Sequence, residues 1–323
     1  MALHSTPQAS HPARDLRLSA PFRLPALLAA LASLFLMAGC DSDPAAPDDP
    51  DPDPEPLQQV IWELAAVGGD AGPGLSATLT LYEYTAEESL ARLELADGVP
   101  GMEGVAPAHL HAGEAGSGGG IVYFLGALDL AEGAPGESWA VVPEAFEVLV
   151  EEDLHANVHW SHDELEDLLA QGDVGANSGV EPEDSELTPP AVPNTLAWEL
   201  DAVENDGDLL PDGVAGHLIL VELDEERTLV EVRLDGGSPE TGAGHPAHIH
   251  EGPAGEGGGI LEFLTPVDGM AGSPGSSWTV LEMTLAELDA LDAHVNVHQD
   301  PTSLEVLITR GDVGLNGEGT TVP

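Results

Sequence analysis

Two stretches of this chain carry one histidine pattern: Pro107-Ala108-His109-Leu110-His111 leads to His155-Ala156-Asn157-Val158-His159, and Pro246-Ala247-His248-Ile249-His250 leads to His294-Val295-Asn296-Val297-His298. Each matched histidine is offset by 139 residues. Side chains at i and i+2 of a strand share a face and lie ~6.6 Å apart, close enough to share one ion at ~2.0 Å from each nitrogen. The pairs His109 with His111 and His248 with His250 meet that condition, and a third ligand must come from a neighbouring strand. His155 and His159 are four residues apart, ~13 Å on a regular strand, so only one of them can join unless the strand is bulged. Of each pair, His159 and His298 are chosen because they lie well inside the strand pattern, whereas His155 and His294 sit at its entry and, with Asn157 and Asn296, accompany the motif. Three imidazoles with an open position suit copper or zinc.

The same residues admit a purely structural reading. Each HxH pair would cap its strand by hydrogen-bonding the glycine-rich loop that follows, GEAGSGGG or GPAGEGGG, while Asn157 and Asn296 satisfy buried backbone groups. Recurrence does not separate the two, because a structural role is duplicated as readily as a ligand.

The elements that must position these residues are strands. The segments LSATLTLYEY with SLARLELA, and GHLILVELD with TLVEVRLD, alternate apolar and polar residues between short polar turns, a period of two that points to antiparallel pairing. One unit runs from IWELAAV to GDVGAN and the next from AWELDAV to GDVGLN. Trp62 and Trp198 differ by 136, so the second unit carries three extra residues early, placed in NDGDLLPDG. The expected fold is all-β, with seven or eight short strands per unit forming a β-sandwich or Greek-key barrel. TLAELDALDA and DELEDLLA are the expected helical turns, and Trp139 and Trp278, also 139 apart, are expected in the core.

Trp-Glu-Leu near the start of each unit, Ala-His-Ile-His-Glu-Gly-Pro-Ala-Gly in the middle, Val-Asn-Val-His later and a closing Gly-Asp-Val-Gly resemble the chordin-type domain, CHRD. The resemblance covers both units. The closing motif departs from the family's usual Gly-Glu-Ile/Leu-Arg-Gly. The resemblance implies two tandem immunoglobulin-like domains related to the superoxide-dismutase β-barrel, and it supplies a fold without a reaction. A dismutase-like centre would want a disulfide-held loop and a cationic guide for its anionic substrate, and this chain offers neither.

Charge and targeting place the units outside the cell. Arg14, Arg17 and Arg23 precede an apolar run from Leu24 to Met37 that ends in Ala38-Gly39-Cys40, a lipoprotein-type signal segment. Residues 1–39 read as signal peptide, Cys40 as the lipidated residue, and 40–56 as an acidic proline-rich tether. CHRD-like domain 1 then spans 57–178, a linker 179–195, and CHRD-like domain 2 spans 196–317. From Cys40 onward 58 acidic residues face four arginines, a formal charge of −54. Such self-repulsion fits a halophilic setting, since the Debye length falls to ~3 Å at molar salt. Nucleic acid is disfavoured as a partner because no basic patch exists.

His162, His217 and His245 occur in one unit only and read as surface or loop residues, and Arg310-Gly311-Asp312 reads as an incidental adhesion tripeptide, since the first unit has Gln171-Gly172-Asp173 there. No nucleophile elbow or metalloprotease helix motif appears. The sequence therefore points to a cell-envelope lipoprotein acting as a non-enzymatic module that binds an extracellular protein or a cation. The alternative is a copper- or zinc-binding protein, or a weak dismutase-like redox enzyme, using the HxH and NVH histidines.

Overall fold

In the computed structural model the described residues are 56–70, 72–101, 104–204, 213–237, 239 and 243–322. The signal segment, Cys40, nearly all of the tether and the expected insertion at 205–212 lie outside them. In the first repeat β1 (Gln58–Ala66), β2 (Ala77–Glu83), β3 (Ser89–Leu95), β4 (Val105–Ala106), β5 (Ala108–Ala112), β6 (Ile121–Phe124), β7 (Leu128–Asp129) and β8 (Glu137–Val142) precede α1 (Phe146–Glu151). Then come β9 (Asp153–His159), β10 (Leu168–Gly175) and the short β11 (Glu183–Asp184). The second repeat holds β12 (Thr195–Ala202), β13 (Gly216–Glu222), β14 (Thr228–Leu234), β15 (Gly244–Glu251), β16 (Ile260–Asp268) and β17 (Ser276–Leu281). It closes with α2 (Leu285–Asp289), β18 (Asp292–His298), β19 (Leu307–Gly314) and β20 (Thr320–Thr321).

All pairings among the described residues are antiparallel, and each repeat forms two main sheets that share their first strand, with β4 and β7 of the first repeat pairing separately through Val105↔Asp129. β1 pairs with β2 through Trp62↔Leu79 and, at its far end, with β10 through Ala65↔Gln171. One sheet runs β11-β1-β2-β3-β8 and the other β1-β10-β9-β5-β6. The second repeat gives β20-β12-β13-β14-β17 and β12-β19-β18-β15-β16.

Alternation along these strands buries one face of each sheet. Trp62, Leu79, Leu93, Leu110 and Val158 share the core of the first repeat, and Trp198, Leu218, Val232, Ile249 and Val297 that of the second. Burying each such side chain contributes about 1.5–3 kcal/mol against conformational entropy.

The two repeats meet at a shared junction. β8 pairs with β17 at Trp139↔Trp278, joining the two first sheets, and the described residues fall in one compact unit. A third core of Tyr82, Leu90, Trp139, Leu187, Leu223, Leu229 and Val280 lies at this junction. The two tryptophans therefore serve the seam between repeats. The expected linker is also structured: β11 pairs with β1 through Gln59↔Glu183, and Leu187 enters the shared core.

Helix α2 falls in TLAELDALDA, where Thr284 caps it and Glu287 closes a capping box. DELEDLLA, by contrast, is not helical. Leu168 and Leu169 enter β10, where pairing with β9 buries Leu169, Leu165 lies in the preceding turn, and the helix of the first repeat is Phe146–Glu151 instead.

Candidate metal centre

Period-two alternation that sends Ala108, Leu110, Ala156 and Val158 into the core turns His109, His111, His155, Asn157 and His159 to the opposite face of the second sheet. An outward face should be wet, yet His109 is 0% exposed and His159 only 4%. Cover comes from the glycine-rich loop after β5, the loop after β9, and the other repeat. β15 and β18 present His248, His250, His294, Asn296 and His298 in the same way.

β5 and β9 pair with His109↔Asn157 and His111↔His155. His159 then lies diagonally across, its ring 5.2 Å from that of His109 and 5.9 Å from that of His111. One ring nitrogen from each of His109, His111 and His159 falls within 4.8 Å of the other two, and His248, His250 and His298 form an equivalent group. Each group can hold a metal ion.

The other ring nitrogens are committed. His111 Nδ1 lies 3.2 Å from the Gly119 carbonyl, and His159 Nδ1 2.7 Å from that of Leu165. In the second repeat His250 Nδ1 faces Gly258 O at 3.2 Å and His298 Nδ1 faces Leu304 O at 2.5 Å. A carbonyl can only accept, so each Nδ1 donates and each Nε2 presents a lone pair. The Nε2 atoms of His111, His159 and His250 are buried with no hydrogen-bond partner, as is His109 Nδ1. His298 Nε2 lies 3.1 Å from His248 Nδ1. Two nitrogens bound to one tetrahedral ion at ~2.0 Å lie about 3.3 Å apart.

Burial pushes the His159 and His298 imidazoles down to about 4, helped by the neighbouring His109 and His248 respectively. Burial also lowers His111 and His250. All four are thereby held neutral, the form that ligates metal.

Loop geometry follows from a few residues. Gly119 has φ +150°, and a Cβ there would sit 2.2 Å from Ala112 O; a Cβ at Gly258 would sit 2.0 Å from Glu251 O. Only glycine lets these loops fold back to offer their carbonyls to His111 and His250. Asp173 and Asp312 of the closing Gly-Asp-Val-Gly accept from the Ala115 and Ala254 amides at 2.6 Å, pinning the same loops. Asp312 is thus committed within the fold. A cleft of about 260 Å³, lined by His109, His111, His155, His159 and Gln171 among others, opens onto the first centre.

His155 stacks on His111 with ring centroids 5.2 Å apart and bonds Gly113 O through Nδ1 at 2.9 Å. His294 does the same against His250 and Gly252 O. Both support the ligand rings without joining the three-nitrogen groups. The asparagines do not satisfy backbone groups as expected. Asn157 Oδ1 accepts from Gln171 at 2.7 Å, and Asn296 Nδ2 faces His294 Nε2 at 3.4 Å, because both stand on the outward face among side chains.

Of the three histidines without a counterpart, His245 departs from the sequence reading: it stands in β15, fully buried, and bonds Gln299 O. His162 lies in the loop after β9, with its side chain 4% exposed and bonded to Asp268 at 2.9 Å. His217 is half-buried, 3.3 Å from Asp235. Sequence reasoning missed two carboxylates: Asp268 Oδ2 lies 3.7 Å from His109 Nε2, and Asp129 Oδ2 lies 3.8 Å from His248 Nε2. They too are 139 apart, the one signal that could have found them. Burial would raise Asp268, but the neighbouring His109 and hydrogen bonds from His162 and the Met270 amide hold it well below the usual carboxylate range.

No family model, no curated protein and no solved structure matches this chain.

Proposed function

We propose that this chain is a metal-binding protein that holds one copper or zinc ion in each of its two trihistidine centres. A single observation carries the reading: backbone carbonyls of Gly119, Leu165, Gly258 and Leu304 take the Nδ1 protons and leave the Nε2 lone pairs free, while within each triad one nitrogen of every histidine lies within 4.8 Å of the others. A loop-capping role accounts for the Nδ1 atoms but leaves His111, His159 and His250 each with a buried, unpartnered Nε2. Each such atom costs about 1–3 kcal/mol of lost solvation, which an ion would recover. Three neutral nitrogens and an open fourth position suit zinc or copper over oxygen-loving magnesium or calcium.

The wider setting belongs to the same proposal. Each repeat is read as a CHRD-like Greek-key unit of immunoglobulin type, supported by the strand order β1-β2-β3-β8 in one sheet and β6-β5-β9-β10 in the other. The signal segment and Cys40 would anchor it to the cell envelope. A net charge of −52 would concentrate cations near the centres while repelling anionic substrates, which favours binding over catalysis, and it suits a salty medium. Elemental analysis of the folded protein after dialysis at high salt should return two ions of copper or zinc per chain. Absence of stoichiometric metal, with His111→Ala plus His250→Ala altering stability alone, would leave the histidines structural and the chain a protein-binding module.

A further inference from the structure

The two centres are not independent in the fold. Asp268 belongs to β16 of the second repeat, yet its Oδ2 faces His109 Nε2 in the first; Asp129 belongs to β7 of the first repeat and faces His248 Nε2 in the second. Both aspartates are buried, 5% and 6% exposed. Their remaining oxygens are fixed: Asp268 Oδ1 accepts from the Met270 amide at 2.8 Å and Asp129 Oδ1 from the Ala131 amide at 2.9 Å. Asp268 Oδ2 itself has no hydrogen-bond partner and points at His109. The seam that delivers them is tight, because a Cβ on Gly244 would meet Val105 at 2.3 Å and the Trp139 amide donates to Thr265 at 3.3 Å.

We infer that Asp268 and Asp129 are reciprocal positioning residues, each orienting the first histidine of the opposite repeat's centre, so that each triad is braced from the other repeat. The inference rests on the metal reading. His109 and His248 differ from the other four ligands, whose Nδ1 protons go to backbone carbonyls. His248 turns Nδ1 to His298 Nε2 at 3.1 Å, and the repeat gives His109 the same role; with Nδ1 given to an ion the proton sits on Nε2, and a carboxylate is the acceptor that holds it there and makes the ring a stronger donor. The separations of 3.7 and 3.8 Å are slightly longer than a hydrogen bond. The two braces are unequal. His162 Nε2 also bonds Asp268, whereas Pro301 stands at the equivalent position beside Asp129's partner repeat, so the first centre is held more firmly.

The test uses two full-length parents with one centre each. His250→Ala with His298→Ala leaves the first centre, and His111→Ala with His159→Ala leaves the second. Zinc affinity is read against a competing chelator at high salt, and thermal unfolding of the metal-free proteins reports folding. Loss of such a supporting carboxylate weakens metal binding by about 10–100-fold. Asp268→Asn should do so in the first parent and spare the second, and Asp129→Asn should do the reverse. Should Asp268→Asn not fold, Asp129→Asn, which removes a carboxylate without a histidine brace, carries the test. Equal effects on both parents, or effects confined to the repeat in which the aspartate lies, would overturn the inference while leaving metal binding intact. Parents that hold no zinc would overturn the metal reading, and this inference with it.

Discussion

Acid should unfold the metal-free protein through its ligand histidines. Burial holds His159 and His298 at about 4, whereas an unfolded imidazole titrates near 6.5. Between these values the unfolded chain binds more protons than the folded one, so stability rises with pH across the window and is lost as pH falls from about 6.5 towards 4. At pH 4.5 the loss is about 2.5 kcal/mol per site, or about 5 kcal/mol for the two, by linkage. Folded domains rarely have more than about 5–15 kcal/mol to spare. The assay is denaturant unfolding of chelator-treated protein followed by circular dichroism at pH 7.5, 6.5, 5.5 and 4.5. Titrating carboxylates alter the background, so the informative quantity is the difference between the wild type and His159→Gln with His298→Gln. The variant should lose the histidine part of the slope. Identical slopes in the two proteins, or no loss of wild-type stability between pH 6.5 and 4.5, would refute the reasoning.

Glu231 should show the opposite sign. Burial, with Glu88 nearby, pushes its carboxyl up to about 7 against the pull of Arg233, so the folded state holds a proton that the unfolded state releases above about 4.5. Glu231→Gln should therefore stabilise the protein by about 3 kcal/mol at pH 8 and by less than about 1 kcal/mol at pH 5, measured by denaturant midpoint at each pH. Leu187 is 2% exposed within the shared core, and Leu187→Ala should cost about 2–5 kcal/mol in equilibrium unfolding, far more than a linker residue would. In Gly119→Ala the new Cβ collides with Ala112 O, so the loop must shift and release His111. Zinc titration should then find the first centre weakened and the second unchanged.

The histidine triads were legible because two periodicities agreed. Strand alternation put His109 beside His111, and the 139-residue repeat tied His159 to His298. The burial of these histidines was not legible, because it arises on the outward face from loops and from the opposite repeat. Asp129 and Asp268 are single acids among 59, and nothing local marks them as partners of histidines far away in sequence. The helix Phe146–Glu151 was missed because its N-cap, Ala145, makes no side-chain cap, whereas Thr284 announces its counterpart. The linker's composition, acidic and proline-rich, gave no sign that Leu187 would enter a shared core or that Glu183 and Asp184 would pair with β1.

So acidic a surface binds cations loosely through oxygen, so the kind of atom around the ion separates a built centre from a bystander. X-ray absorption at the zinc or copper edge, on protein loaded with two equivalents at high salt, tests this directly. Three imidazole nitrogens at ~2.0 Å around each ion are expected. A shell of oxygen ligands alone, unchanged by His111→Ala with His250→Ala, would contradict the account.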